Sequence, residues 1–295
     1  MPKNEKRSEA REKARQLRAV HQKKERRNRL LVGGGIALAV AAVIAVIALT
    51  LGDLVRPESA GPFNMASDGI RIGEGLVVQP TPALPFGSRP VTPEPNAAGV
   101  VDIQIVVDYL CPICGEFEQT NGAFIRTLVE SGAATITYRP VAIFTNQSAG
   151  TRYSLRAANA AACVANSSPD SYFSFNKRLF NEQPAEGTGG LSDDELVAIA
   201  RAAGAASNIV EECITDRRFA TWVGAATERA QKGPLAIRNV EVDGIEGTPT
   251  IFVNGQVYDY SYPFDLGEFT QFVLQAAGDE FSTNPTPTLT PTPTP

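Results

Sequence analysis

Val100-Val-Asp-Ile-Gln-Ile-Val-Val-Asp-Tyr-Leu-Cys-Pro-Ile-Cys114 is the stretch on which the fold turns. Val100–Val107 is a β-branched run suited to a buried strand. Three residues later comes Cys111-Pro112-Ile113-Cys114, after which Phe117, Phe124, Ile125, Leu128 and Val129 recur at helical spacing as far as Gly132. The Cys-x-x-Cys tetrad therefore falls directly after a strand, at the first turn of a helix. There a sulfur meets unpaired backbone N–H groups and the positive end of the helix dipole, which favour thiolate over thiol. Pro112 suits that turn, where its missing N–H costs nothing. Cys111 is expected to be the attacking and more exposed thiolate, and Cys114, one turn inside, the buried resolving thiol. Asp108 reads as a solvated loop carboxylate, and Glu116 and Glu118 as helix surface.

Downstream, Thr135–Ile143 reads as a second strand. Residues 148–240 carry a helical pattern. It begins with the Ala-rich segment Ser154–Ala165 and continues with Ser171–Phe180. A third segment opens at Ser192, with Glu195 completing a capping box. Asn208–Thr215 and Phe219–Lys232 follow. Gly247-Thr248-Pro249 leads into a strand over Thr250–Val253, and Asn254-Gly255 forms a tight turn into Gln256–Tyr258. Phe264–Ala277 is a closing amphipathic helix, in which the chain resumes 3.6-residue periodicity. Setting the helical block aside leaves strand–helix–strand, then strand–turn–strand–helix. A four-stranded mixed sheet flanked by helices accounts for that α/β order.

Upstream, residues 52–98 are rich in Pro and Gly and read as a linker, with a small hairpin about Asp68-Gly69 and an extended part over Pro80–Pro95. Leu30–Leu51 is 22 residues without an ionisable side chain. As a helix it spans roughly 33 Å, enough to cross a hydrocarbon core of about 30 Å. A cleaved signal peptide is the competing reading, but the run is long for one and no small-residue cleavage site precedes Asp53. A retained transmembrane anchor is expected. Residues 1–29 hold 12 Lys/Arg against 4 Asp/Glu, leaving 15 basic and 28 acidic residues for the rest. This basic flank places the N-terminus in the cytoplasm and the remainder outside, and it argues against nucleic-acid binding. The tail over 279–295 ends in Thr-Pro repeats and is expected to be disordered. All four cysteines (Cys111, Cys114, Cys163, Cys213) follow the apolar run, in a compartment where disulfides persist. His21, the single histidine, lies before it, which excludes His-dependent catalysis and His-ligated metal in the exported part. Trp222 reads as core.

The Cys-Pro-Ile-Cys tetrad behind Asp108, Phe117 three residues past Cys114, the helical block, and Gly247-Thr248-Pro249-Thr250 together resemble DsbA-like thiol–disulfide oxidoreductases. The similarity covers Val100 to Ala277 within a domain over 99–278. It implies a thioredoxin fold with a large helical insertion, and an enzyme that oxidises the thiols of exported proteins and is itself reoxidised by a membrane DsbB- or VKOR-type partner. It makes Pro249 the cis-proline facing the redox pair, with Thr248 before it, and Cys163–Cys213 a structural disulfide. A trans loop proline is the plainer reading of Pro249. No cofactor and no metal are implied. Two positions depart from the family: Ile113 stands where oxidases often carry His, and Ile105 where relatives bury an acid. Both imply a milder oxidant, with a Cys111 acidity between about 3.5 and about 7. Reductase or isomerase activity, a redox-inactive peptide-binding module and a four-cysteine zinc module remain as other readings.

Overall fold

In the computed structural model, residues 60–283 are described. The basic flank over 1–29, the apolar run over 30–51 and the Thr-Pro tail from 284 lie outside them. Among the described residues no helix is long and apolar enough to cross a membrane.

Strand β2 (Val101–Val107) is the centre of the sheet, and its apolar side chains are buried. Helix α1 (Pro112–Glu130) carries the chain over to β3 (Ala134–Pro140), which pairs parallel to β2 with Ile105 opposite Tyr138. On its other side β2 pairs antiparallel with β4 (Thr250–Val253), placing Ile105 opposite Ile251. The Asn254-Gly255 turn uses left-handed backbone at both residues (φ 49° and 83°) and returns the chain as β5 (Gln256–Val257). Helix α7 (Leu266–Thr283) closes the domain against α1, where Phe269 meets Phe117 edge-on at 5.3 Å.

The sheet has five strands, not four. Its order is β1-β3-β2-β4-β5, and the added strand, β1 (Ile70–Ile72), pairs antiparallel with β3 at one edge. This strand comes from the stretch read as linker, so residues 60–98 correct that reading. Ile70 and Ile72 are fully buried. Arg71 is held by the Glu94 carbonyl and the Asn96 side chain, which ties the Pro-rich segment to the domain. Asp68-Gly69 forms no hairpin; Asp68 instead pairs with Arg229 at 2.7 Å. Gly69 lies so close to β3 that a Cβ there would sit 2.7 Å from the Thr137 and Arg139 side chains.

The insertion is built from α2 (Tyr153–Ser167), α3 (Tyr172–Asn181), α4 (Asp193–Ala202), α5 (Asn208–Thr215) and α6 (Ala220–Lys232). Helix α2 is buried from Tyr153 to Ala165, so its alanines are what allow its neighbours to approach on every side. The Ser192–Glu195 capping box opens α4. Cys163 on α2 and Cys213 on α5 form a disulfide with Cα atoms 5.7 Å apart. Trp222 is buried. The helical pattern stops at Lys232 rather than near residue 240: Pro234 cannot continue it, and Gly233–Gly247 runs irregularly back to the sheet.

Candidate active site

Cys111 is the N-cap of α1 and has extended backbone (φ −70°, ψ 114°); Pro112 occupies the first helical position. No side chain caps this helix end and its first turn holds no acid, so its free N–H groups and dipole face the sulfur. The Cys111 thiol donates to the Thr248 carbonyl at 3.1 Å. The Thr248–Pro249 peptide is cis, and the Thr250 hydroxyl closes the turn onto the Gly247 carbonyl at 2.7 Å. Helix α1 and the turn before β4, 137 residues apart in sequence, thus meet at one sulfur.

Both cysteines are free thiols, and each is only 1% exposed. This corrects the expectation that Cys111 is the more exposed of the two. The Thr248 carbonyl lies against its sulfur, and Pro112 and Ile113 are the exposed part of the tetrad. The two thiols differ in acidity instead. The Cys114 thiol, aided by Thr248 and against the effect of burial, lowers Cys111 to about 7. Cys114 is pushed well above the ordinary thiol range, first by burial and then by its bond to Cys111.

Asp108 overturns its reading as a solvated carboxylate, being fully buried. It accepts from Leu110 N (2.9 Å), Phe144 N (2.9 Å) and the Ser154 hydroxyl (2.6 Å). Burial raises its pKa, and these bonds oppose the rise. Ile105 is buried within the sheet and brings no acid to the site. Glu116 remains near the surface, where it accepts from the Tyr262 hydroxyl at 2.7 Å. Glu118 is not plain helix surface. It faces Asn176, which donates to it at 3.3 Å, and burial raises it to about 7.

Gln183, just beyond α3, was not singled out from sequence. Its amide donates to the carbonyls of Tyr109 (3.1 Å) and Cys111 (2.8 Å), holding the start of α1 from the insertion side. Its partners lie more than 70 residues away, so no local pattern marks it. Cys163 and Cys213 are spent on each other, so the four cysteines do not come together as a zinc set.

A buried, unequal thiol pair at a helix N-terminus can exchange with an incoming disulfide or dithiol. Comparisons with known proteins agree with that chemistry. The family model described as Thioredoxin matches residues 94–271, more than half of the chain. The reduced DsbA of Mycobacterium tuberculosis is similar at 27% identity and a TM-score of 0.51, over 73% of this chain and 98% of that one. The reduced disulfide bond oxidoreductase DsbG of the same organism is similar at 28% identity and a TM-score of 0.52, over 77% and 97%. The serine/threonine-protein kinase PknE of Mycobacterium tuberculosis is 28% identical over 165 residues, which are 55% of this chain and 28% of the kinase. The chain therefore spans little more than a quarter of the length of that curated relative.

Proposed function

The chain belongs to the thioredoxin family and is a thiol–disulfide oxidoreductase, and on that premise we propose that it introduces disulfides into exported proteins through Cys111 and Cys114. One observation carries the assignment of roles. Cys111, at the helix N-terminus, is the acidic thiol, and Cys114 behind it holds its proton far more tightly.

In the oxidising direction a substrate thiolate attacks Cys111 Sγ of the disulfide form. The Cys111–Cys114 bond breaks, and Cys114 leaves and takes up a proton. A second substrate thiolate attacks the substrate sulfur of the mixed disulfide, and Cys111 leaves as thiolate. The substrate loses two electrons and gains a disulfide, while the pair gains both electrons. A low pKa makes Cys111 the better leaving group in the second step. The Thr248–Pro249 turn lies against that sulfur, where an extended substrate segment could pair with its backbone. A membrane partner of the DsbB or VKOR type would return the pair to its disulfide form.

The run over 30–51 is proposed to anchor the chain, with the redox domain on the extracytoplasmic side. The basic flank supports that orientation, and the Cys163–Cys213 disulfide suits an oxidising compartment. Protease added to intact cells should then digest the domain and spare the flank.

A reductase or isomerase reading is favoured by a different aspect of Cys111. A value of about 7 matches the reducing end of the family scale, where thioredoxin also lies near 7, rather than DsbA at about 3.5. The reduction potential of the pair separates the two: near about −120 mV supports the oxidase, near about −270 mV the reductase. Cys111→Ser should abolish oxidation of a reduced two-cysteine peptide. Unchanged oxidation in that variant would refute the assignment, and no oxidation by the unaltered protein would support a redox-inactive binding module.

A further inference from the structure

Asp108 is the one acid buried in the loop that delivers Cys111, and the reaction described above makes no use of it. Three of its hydrogen-bond partners come from separate places: the Leu110 N–H in its own loop, the Phe144 N–H in the turn after β3, and the Ser154 hydroxyl on α2. All three can donate, and the two N–H groups can do nothing else, which is the environment of an ionised carboxylate. The Asp108 carbonyl also accepts the Cys111 N–H at 3.1 Å, so the residue closes the turn from which Cys111 emerges. Among the described residues no cation hydrogen-bonds to it. The ionisable groups that feel its charge are Cys111, which follows it by three residues, and Tyr153 on α2. Cys114, whose proton is held tightly, lies behind Cys111.

We infer that Asp108 is a positioning residue for the redox pair: its ionised side chain clips the Cys111 loop to the helical insertion, and its charge disfavours the Cys111 thiolate. The inference rests on the redox reading of Cys111 and Cys114. Like charges in a buried region repel, so the carboxylate opposes the help that Cys114 and the helix N-terminus give to the thiolate. Because the thiolate belongs to the reduced form, that charge also makes the pair a weaker oxidant. Asp108 thus adds to the mildness expected from Ile113, by a route that sequence spacing does not show.

The test is Asp108→Asn in the full chain, which keeps the shape and one acceptor oxygen and removes the charge. The readouts are the pH profile of Cys111 alkylation in the reduced protein and the equilibrium of the pair with glutathione. The alkylation midpoint should fall by on the order of one pH unit, raising the thiolate fraction about tenfold below the midpoint, and the glutathione equilibrium should shift toward the dithiol by up to about tenfold. A folded variant with both quantities unchanged would overturn the inference. A variant that does not fold leaves a second measurement on the unaltered reduced protein. There the Asp108 carboxyl and Cys111 Cβ carbon resonances should each inflect at the other's midpoint, as coupled groups must. Independent titrations would overturn the inference. Thiol exchange that is normal in the unaltered protein and absent in Cys111→Ser, with these results negative, would leave the redox reading standing and Asp108 excluded.

Discussion

Replacing Cys163 and Cys213 together with alanine should destabilise the domain heavily and leave the redox pair working. The disulfide closes a separation of 50 residues between α2 and α5. In the chain-entropy account, opening a loop of that length returns about 4 kcal/mol to the unfolded chain. Both cysteines are fully buried, so truncating their sulfurs adds a smaller packing loss in the same direction. At about 2–4 °C per kcal/mol for a domain of this size, the melting temperature should fall by about 8–16 °C. Thermal unfolding followed by far-ultraviolet circular dichroism measures it, with both proteins carrying the 111–114 pair in the same redox state. Oxidation of a two-cysteine peptide at 20 °C should stay within about twofold of the unaltered protein, since Cys111 is positioned by α1, Gln183 and Thr248 rather than by α5. A fall of less than about 3 °C, or loss of peptide oxidation at a temperature where the variant is folded, would refute this division between a stabilising and a reacting pair.

Cys111, lowered to about 7 from an ordinary thiol value of 9.0, should be alkylated with a midpoint near pH 7, read by mass spectrometry of quenched samples. The same depression should make the reduced protein more stable as pH rises from 7 to 9, by up to about 2–3 kcal/mol, and this gain should be absent below pH 7. Denaturant melts of the reduced protein across that window check the slope, and a flat profile would contradict it. Glu118 has the opposite sign: raised from 4.5 to about 7, it costs stability progressively as pH climbs through that interval. Glu118→Gln should therefore flatten the profile between pH 4.5 and 7 and stabilise the protein at pH 8 by about 1 kcal/mol, because solvent contact at this partly exposed residue discounts the full shift. Gln183→Ala removes two hydrogen bonds to the Tyr109 and Cys111 carbonyls, and equilibrium unfolding should show a loss of about 1–2 kcal/mol.

What the sequence made legible was local. The β-branched run of β2, the periodicity of α1, the Ser192–Glu195 box and the Asn254-Gly255 turn each carry their signal within a few residues, and each element forms where that signal lies. Strand β1 reads in sequence only as part of a small local hairpin, because three residues, Ile70 to Ile72, are too few to show alternation and the prolines and glycines around them mimic a spacer. Its burial comes from pairing with β3, more than 60 residues further on. The environments of Asp108 and Glu118 were likewise set by distant partners: Ser154 lies 46 residues from Asp108, and Asn176 lies 58 from Glu118. A carboxylate's neighbours along the chain cannot reveal a helix that packs over it. Cys111 gives the same lesson in reverse. The dipole argument placed its reactivity correctly at the start of α1, while its exposure was decided by the turn carrying Thr248.

The central claim is that Cys111 is the sulfur that exchanges with substrate. A one-cysteine peptide carried as a disulfide with a small, weakly nucleophilic aromatic thiol, offered to the reduced Cys114→Ala protein and resolved by mass spectrometry, tests it most directly. The account predicts a mixed disulfide on Cys111 that persists because no second thiol resolves it, and a much smaller yield from the Cys111→Ala protein, whose Cys114 holds its proton far more tightly. Equal trapping by the two variants, or trapping on Cys114 alone, would contradict the account.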